Sequence, residues 1–288
     1  MKSIIKTSLY LFLLLITSIS YSKDAVTIRV GNFAPNYFKD KDGNWTGVDV
    51  ELGKALVDEA GFTPEIVNLP WSRALKYAKQ GKVDMLVNAS LNADRLDYFY
   101  WIGPERLITM SLITKEYHRH LKIENLDDFT RLCKELKTPF AYQQDVNYPE
   151  EFNTKLINDA DFKNCFTKTV NPKSILKMLS KNWILGYFDE KMAIEYYKNN
   201  DPNYRDIAVH PFILSQEPVF FAASKKSVDV DVANKLYEAY YRLWENGKIK
   251  EIIRKWGKIS SKNYNNYSSF FINLFDNTLI TKETNQFI

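Results

Sequence analysis

Two charged residues of the sequence lie where they could bind groups of opposite charge. Arg95 comes eight residues after the predicted strand Val83–Val87, and Asp189 directly follows the predicted strand Trp183–Phe188. A guanidinium is a rigid fork that matches a carboxylate with two parallel hydrogen bonds, and a carboxylate at the end of a strand can receive an ammonium group. Taken alone, Arg95 is better explained as a surface arginine, and Asp189 would serve equally well as a helix N-cap.

Aromatic and cationic side chains near the ends of the same strands are further candidates. Tyr37 lies in the turn-rich loop after the first strand, and Trp71 and Arg73 lie at the start of the second predicted helix. Aromatic rings stack on flat or aliphatic groups and on cations, so Trp71 would wall a cleft there. Arg73 would add a second positive charge and favour a partner with more than one anionic group. Packing in the core explains Tyr37 equally well.

These residues need a scaffold of alternating strands and helices. The segment Val26–Val30 has the alternating, β-branched pattern of a strand, and Gly61 and Gly81 end the two helices that follow. Short links between such elements favour parallel strands with right-handed crossovers. The expected elements of this first lobe are the strands Val26–Val30, Thr63–Val67 and Val83–Val87, a helix from its N-cap Asp49 to about Ala60, and a helix from Trp71 to Gln80.

The same alternation begins again after residue 106 and predicts a second α/β lobe. A last strand and two helices then return to the first lobe. Two lobes joined by two crossings leave a crevice, and ligands of open α/β sheets lie at the carboxyl ends of the strands. The expected strands are Leu107–Thr114, Thr138–Tyr142, Phe166–Val170, Trp183–Phe188 and Pro218–Ala223. The expected helices are one after Asn147 to about Asn158, one over Pro172–Leu179, one after Asp189, and the closing pair Val232–Trp244 and Lys248–Trp256.

The amino-terminal segment and the charge balance bear on location and partners. Lys2 and Lys6 precede an uncharged apolar run, Leu9–Ile16, and small residues stand at Ser20 and Ser22. This is the layout of a secretory signal peptide cleaved after Ser22, and the run is shorter than the about 20 apolar residues of a membrane span. The net charge of +4 falls by two without this segment, and there is no basic run of five or more residues. Nucleic acid and anionic membranes are therefore poor candidate partners.

The two cysteines of the chain, Cys133 and Cys165, predict a disulfide. In an oxidising compartment an isolated pair forms a disulfide more often than a metal site, and three scattered histidines argue against a metal centre built from histidine. Both cysteines precede strands that we expect to be neighbours, at the sheet edge away from the crevice. Closing a loop of about 31 residues would stabilise the fold by roughly 3 to 4 kcal/mol. We expect neither a metal nor a cofactor.

Four motifs occur in one order along the chain. They are Gly43–Val50 (G-x-x-x-G-V-D-V), Pro70–Leu75 followed by Gly81–Asp84 (P-W-x-R, then G-K-x-D), Asn88–Arg95 (compare S-x-S-x-T-x-x-R), and Glu245–Lys248 followed by Trp256–Gly257. From about Val26 to Gly257 the sequence resembles the bacterial extracellular solute-binding proteins of the polar amino-acid uptake type, family 3. The resemblance implies a periplasmic binding protein-like II fold, an α/β architecture of two Rossmann-like lobes joined by a two-strand hinge.

The resemblance also implies roles for particular residues. Arg95 matches the arginine that holds the α-carboxylate of an amino acid, and Asp189 matches the aspartate that grips the α-amino group. Asn88 and Ser90 match small polar residues that add hydrogen bonds to the carboxylate, and Asn147 begins a helix whose amides face an anion. Four residues depart from the pattern: Asn88, Asn92, Asp145 and Val146. The acid among them, Asp145, disfavours an anionic ligand side chain beside it.

We therefore expect a soluble, monomeric periplasmic protein that binds a small polar ligand, with an amino acid favoured, and delivers it to an ABC permease. A sensor for a membrane receptor and a cyclohexadienyl-dehydratase-like enzyme on the same fold are the alternatives. No serine-histidine-aspartate set, metal cluster or glycine-rich phosphate loop favours the enzyme. The expected limits are 1–22 for the signal peptide, 23–112 with 219–257 for lobe 1, 113–218 for lobe 2, and 258–288 for a tail.

Overall fold

An eight-stranded mixed sheet organises the protein. The structure, a computed structural model, describes residues 24–144, 146, 148–169 and 172–257. The expected signal peptide, the tail after Gly257, Asp145 and Asn147 lie outside the described residues. The strands are β1 Ala25–Val30, β2 Phe38–Lys39, β3 Trp45–Thr46, β4 Thr63–Asn68, β5 Met85–Ala89, β6 Phe99–Lys115, β7 Phe140–Gln143, β8 Phe166–Thr169, β9 Gly186–Glu190 and β10 Ile207–Ser224.

Helices cover both faces of this sheet, whose strand order is β4-β1-β5-β10-β6-β9-β7-β8. None of the helices in the described ranges has the length and apolar character needed to cross a lipid bilayer. The helices are α1 Val48–Glu59, α2 Trp71–Lys79, α3 Asp127–Leu136, α4 Glu150–Asn158, α5 Ala160–Asn164, α6 Pro172–Ser180, α7 Lys191–Asn200, α8 Val230–Glu245 and α9 Lys248–Gly257.

The first group of strands, β4, β1 and β5, is parallel and follows from the alternation in β1. Val26 and Ile28 are fully buried and pack with α1, α8 and α9, which contribute Leu52, Leu236 and Ile252 to one apolar cluster. Helix α2 packs on the opposite face of the same strands in a second cluster. Successive side chains of a strand point to opposite faces of the sheet. The odd-numbered residues of β1 therefore face α2.

The second group of strands, β9, β7 and β8, is also parallel and is built around aromatic side chains. Phe129, Phe140 and Phe152 are fully buried, and the ring centres of Phe129 and Phe140 lie 4.8 Å apart in an edge-to-face contact. Such tilted packing is the preferred geometry of aromatic pairs. A separate cluster formed by α6, α7 and their neighbours covers the other face.

Two long antiparallel strands, β6 and β10, connect the groups. They pair from Phe99 with Ser224 at one end to Lys115 with Ile207 at the other; β10 also pairs with β5 and β6 with β9. The predicted strands Leu107–Thr114 and Pro218–Ala223 cover less than half of these elements, because prolines and register shifts interrupt the sequence pattern. The two-group α/β architecture with two crossing strands is confirmed, and the residue limits of the lobes stay a prediction.

The start of α1 differs from the prediction. The N-cap position is Gly47, at φ 126°, where a Cβ would lie 2.4 Å from the carbonyl oxygen of Asn36. A residue with a side chain cannot occupy this close approach without moving the backbone. Asp49, predicted as the cap, lies inside the helix, is fully buried and binds Arg106.

Two helices of the second group were not predicted. The segment Asp127–Leu136, treated as part of a polar connection, forms α3, and Ala160–Asn164 forms the short α5. Helix α3 is rich in charge, and its apolar side is confined to a few residues such as Phe129 and Leu132. Strand β9 begins at Gly186 rather than Trp183, because Asn182 is left-handed, at φ 56°, and the chain is still turning there.

Candidate ligand-binding site

A cluster of cations and aromatic rings lies at the carboxyl end of β1. The Cζ atom of Arg29 lies 5.2 Å from the ring centres of both Tyr37 and Trp71, and the Cζ atom of Arg95 lies 5.8 Å from the Trp71 ring. Contacts of this kind are cation–π interactions. The structure thus brings together Tyr37, Trp71 and Arg95 from the predicted set and adds Arg29.

Arg95 is half-buried and is the last residue of the short helical turn Ala93–Arg95. Its Nη1 donates to the carbonyl oxygen of Ser90 at 3.1 Å. Burial lowers the pKa of Arg95, with the charge of Asp94 acting in the opposite direction. Within the described ranges no carboxylate oxygen lies within 4 Å of this guanidinium, so most of its donors stay available to a ligand.

Asn88 and Ser90, at the end of β5, contribute their backbone to the protein and leave their side chains unused. Asn88 is left-handed, at φ 56°, a conformation that asparagine tolerates better than most residues. Its amide N–H donates to Oε2 of Glu105 at 2.7 Å. Neither the side-chain amide of Asn88 nor the hydroxyl of Ser90 has a hydrogen-bond partner among the described residues. Both side chains are half-buried and could bind a ligand.

Asp189 lies on the other group of strands, in the penultimate position of β9. It faces no cation: within the described part of the chain, no lysine, arginine or histidine nitrogen lies within 4 Å of its carboxylate. Burial raises the pKa of Asp189 to about 7. Its Oδ1 accepts a hydrogen bond from the Glu190 N–H at 2.7 Å, and the cap position of α7 falls to Glu190, which forms no side-chain cap. The alternative of Asp189 as an N-cap is therefore wrong.

Glu190, next to Asp189, links the two groups of strands through a buried charge network. Its Oε1 accepts from Nη1 of Arg106 at 2.6 Å, and its Oε2 accepts from Nδ2 of Asn36 at 3.1 Å. Arg106 also donates to Oδ1 and Oδ2 of Asp49, at 2.6 and 3.2 Å. These contacts bring the end of β9 against the loop after β1, which places the neighbouring Asp189 at the junction of the groups.

Glu105 is a further buried acid beside this network. It is fully buried, and burial raises its pKa well above the usual range, with the nearby charge of Asp49 adding to the effect. Burial also raises the pKa of Asp49, against the attraction of Arg106. Burial therefore opposes ionisation of both Glu105 and Asp49, and the positive charge of Arg106 acts in the opposite direction on each.

The remaining predicted residues are less well placed or lie outside the described residues. Arg73 is exposed and makes no ion pair in the ranges that the structure describes. Val146 is half-buried and packs against the aromatic cluster of the second group. For Asn147 and Asp145 no position is described, so their roles stay predictions. No group of three or more metal-ligating side chains occurs in the described ranges.

The predicted disulfide is present between Cys133 in α3 and Cys165 before β8, with the Cα atoms 5.7 Å apart. The carbonyl oxygen of Cys165 accepts from the N–H of Phe140 at 2.8 Å, because β7 and β8 are parallel neighbours. The bond therefore lies at the amino-terminal edge of these strands, opposite the edge where ligands bind in such sheets.

The sequence contained signals for the residues that were missed. Arg29 is a charged residue inside an otherwise apolar strand, with Ile28 and Val30 on either side. Asp49 and Glu190 are acids next to predicted apolar positions. A charge at such a position needs a buried partner, but a single sequence does not identify which distant residue provides it.

Known proteins resemble the sequence over most of its length. The family model described as bacterial extracellular solute-binding proteins, family 3, matches residues 26–259. The arginine-binding extracellular protein ArtP of Bacillus subtilis (strain 168) is 24% identical over 230 residues, which are 78% of this chain and 82% of that protein.

Two solved structures have a similar fold. The probable amino-acid ABC transporter extracellular-binding protein ytmK from Bacillus subtilis has a TM-score of 0.66 at 18% identity and covers 81% of this chain and 98% of its own. The ancestral amino acid-binding protein AncCDT-1, a precursor of cyclohexadienyl dehydratase, has a TM-score of 0.61 at 18% identity over 82% of this chain and 96% of its own. At this identity both show the fold alone.

Proposed function

The chain belongs to family 3 of the bacterial extracellular solute-binding proteins, and from that premise we propose that it binds an amino acid as a zwitterion between its two groups of strands. Arg95 receives the α-carboxylate and Asp189 receives the α-ammonium group. Asn88 and Ser90 add hydrogen bonds to the carboxylate, and Trp71 and Tyr37 wall the site. Arg73 and Asn147 belong to the same proposal as further ligand-binding residues.

One observation carries this proposal: neither Arg95 nor Asp189 forms an ion pair within 4 Å in the described protein, and the two residues stand on different groups of strands. A partly buried charge without a counter-ion is unfavourable, and a zwitterion would neutralise both charges at once. The side chains of Asn88 and Ser90, which have no partner in the described protein, lie beside Arg95 in sequence and supply donors for the same carboxylate.

A ligand that touches both anchors would also favour closure of the two groups around it. A ligand shifts a conformational equilibrium only through contacts that differ between the two states. The Arg95 and Asp189 contacts can both form only when the groups approach, whereas either contact alone can form in an open state. The crossing strands β6 and β10 provide the hinge for such a motion.

Isothermal titration calorimetry with each of the twenty amino acids tests the function. We expect at least one amino acid to bind. At a concentration 100 times its dissociation constant, this amino acid should raise the free energy of unfolding by about 2.7 kcal/mol. Arg95→Ala and Asp189→Ala should each abolish measurable binding, whereas Arg205→Ala, which removes an exposed charge, should leave it unchanged. Undiminished affinity in both anchor variants would refute the proposed clamp.

We propose binding without chemical conversion, although one structural neighbour is a precursor of a dehydratase. The neighbouring acids Asp189 and Glu190 diverge, because Glu190 is engaged by Arg106 and Asn36, so they do not act as a pair on one substrate atom. After prolonged incubation, mass spectrometry should recover the bound amino acid unchanged. Loss of water or of carbon dioxide from it would indicate an enzyme.

We further propose export to the periplasm, with cleavage after Ser22, and delivery of the ligand to an ABC permease by a monomeric protein. Family membership supports an extracellular location, and the basic and apolar leader supports the route. Amino-terminal sequencing of the protein from a periplasmic extract should begin at Lys23. A membrane receptor is the alternative partner, and crosslinking of the liganded protein in cells distinguishes a permease from a receptor kinase.

A further inference from the structure

A buried arginine at the end of β1 lacks a counter-ion in the described protein. Arg29 is 4% exposed; its Nε donates to the carbonyl oxygen of Leu69 at 2.9 Å, and its Nη1 donates to the hydroxyl of Tyr37 at 3.4 Å. Burial raises the pKa of Tyr37, so both acceptors are neutral. Among the described residues no carboxylate oxygen lies within 4 Å of this guanidinium. A buried cation without an anion is costly.

The unused edge of the Arg29 guanidinium points past the end of the strand. Its Nη2 lies beside Gly31, the residue that follows β1, and a Cβ at residue 31 would lie 3.0 Å from Nη2 and 3.0 Å from Cε2 of Tyr37. A side chain at this position would therefore press on the guanidinium. The glycine avoids this contact with Nη2 at the carboxyl end of β1, the edge of the sheet where ligands bind in folds of this kind.

Arg29 and Arg95 share one aromatic ring. Both guanidiniums stand within 6 Å of the centre of the Trp71 indole, at 5.2 and 5.8 Å. Contacts with the Tyr37 and Trp71 rings offset part of the cost of burying Arg29, but rings do not replace an anion. Trp71 is also the first residue of α2, whose amino-terminal end carries a partial positive charge. Two cationic anchors thus lie a short distance apart on one group of strands.

We propose that Arg29 receives a second carboxylate of the ligand, so that the protein selects an acidic amino acid. This rests on the proposed function, because Arg95 holds the α-carboxylate and thereby sets the position of the side chain. A basic side chain reaching Arg29 would meet a like charge. A side-chain amide would leave the buried guanidinium without an anion. The inference therefore predicts a difference in affinity between an acidic amino acid and its amide.

Calorimetry on the unmodified protein provides the first test. We expect L-glutamate or L-aspartate to bind roughly 10- to 100-fold more tightly than the corresponding amide, L-glutamine or L-asparagine, as one charge-assisted interaction predicts. L-arginine should bind more weakly still. Equal or tighter binding of the amide, or preferred binding of L-arginine, would overturn the inference and leave the zwitterion clamp in place.

Substitution of Arg29 provides the second test. Arg29→Gln should bring the affinity for the acid to within a few-fold of that for the amide, and Arg29→Lys should keep part of the preference, since it keeps the charge but not the fork. Arg205→Gln is the matched control for loss of an exposed arginine. A uniform loss of affinity for acid and amide in Arg29→Gln would mean that Arg29 only supports the fold, and would overturn the inference.

Two further measurements keep the outcome decisive. If Arg29→Gln does not fold, Gly31→Ala takes its place, and it should weaken binding of the acid more than that of the amide; an equal effect on both would overturn the inference. Succinate and glutarate separate this inference from the proposed function, because they carry two carboxylates and no amine. Stabilisation by either, with no amino acid bound, would refute the zwitterion clamp and support Arg29 as a carboxylate site.

Discussion

Glu190 and Arg106 form an ion pair, 2.6 Å between Oε1 and Nη1, in which the guanidinium is fully buried. Arg106 belongs to the crossing strand β6, and its other edge binds Asp49 in α1. Glu190 ends β9 and also accepts from Asn36 in the loop after β1. One guanidinium therefore fixes the helix of the first group and the strand end of the second to the same point on the hinge.

Removal of this guanidinium should cost much more stability than removal of a surface arginine. Arg106→Met keeps the volume of the side chain but leaves Asp49 and Glu190 as buried acids without a cation, so we expect a loss of about 3 to 5 kcal/mol in the free energy of unfolding. Arg242→Met breaks the exposed pair with Glu59 and should cost about 0 to 1 kcal/mol. Urea unfolding measures both, and similar losses in the two variants would contradict a structural role for the network.

The raised pKa of Glu105 predicts how the free energy of unfolding depends on pH. A carboxyl group whose folded pKa is raised contributes stability that is complete below its unfolded pKa and is lost as the pH rises through the folded value. Glu105→Gln removes this loss, since an amide can accept from Asn88 and donate to Asp49 without a charge. The stability of the variant relative to the natural protein should therefore increase from pH 5 to pH 9, by at most about 1.4 kcal/mol per pH unit.

The control for this pH dependence is Glu217→Gln, an exposed acid on β10. Its stability relative to the natural protein should stay constant over the same range. A constant difference for Glu105→Gln as well, measured by urea unfolding at pH 5, 7 and 9, would show that Glu105 is ionised in the folded protein at neutral pH.

The disulfide should stabilise the second group of strands without affecting the ligand. Replacing Cys133 and Cys165 together by alanine opens the loop between them, and we expect a loss of roughly 3 to 4 kcal/mol in the free energy of unfolding. Ligand affinity should not change, because the bond lies at the amino-terminal edge of β7 and β8. Thiol counting on the unfolded, unreduced protein gives an independent check: two free thiols would refute the bond.

The order of strands and helices could be predicted because it depends on local patterns. Alternation in Val26–Val30 and the glycines after the first two helices are visible in any stretch of sequence. The full length of β6 and β10 could not be predicted, because each strand is held by pairing with a partner about a hundred residues away rather than by its own pattern. Helix α3 was missed because its exposed, charged side dominates its sequence.

The candidate site was predicted in part, for the same reason. Arg95 and Asp189 were proposed from motifs that extend over consecutive residues, and their roles stay a prediction. Neither forms an ion pair within 4 Å in the described ranges. Arg29 belongs to no such motif. Its surroundings could not be predicted, because they depend on the contacts with Tyr37 and Trp71 that form only in the fold. The role of Asp49 was predicted wrongly, because a helix cap is a local feature, whereas its true partner, Arg106, is distant in sequence.

The raised pKa of Asp189 predicts how ligand affinity depends on pH. In the free protein this carboxyl has a pKa of about 7, chiefly because of burial, and an ammonium group bound to it would lower that value because it favours the ionised form. Binding below pH 7 must then displace a proton, so the affinity for the amino acid should be level above pH 7 and fall by up to about tenfold per unit as the pH decreases. Calorimetry in two buffers of different ionisation enthalpy measures the proton released.

Asp189→Asn should bind weakly with a flat profile, while Asp231→Asn, at an exposed acid of α8, should behave like the natural protein. A level affinity from pH 5 to pH 8 in the natural protein would show that Asp189 does not hold the ammonium group.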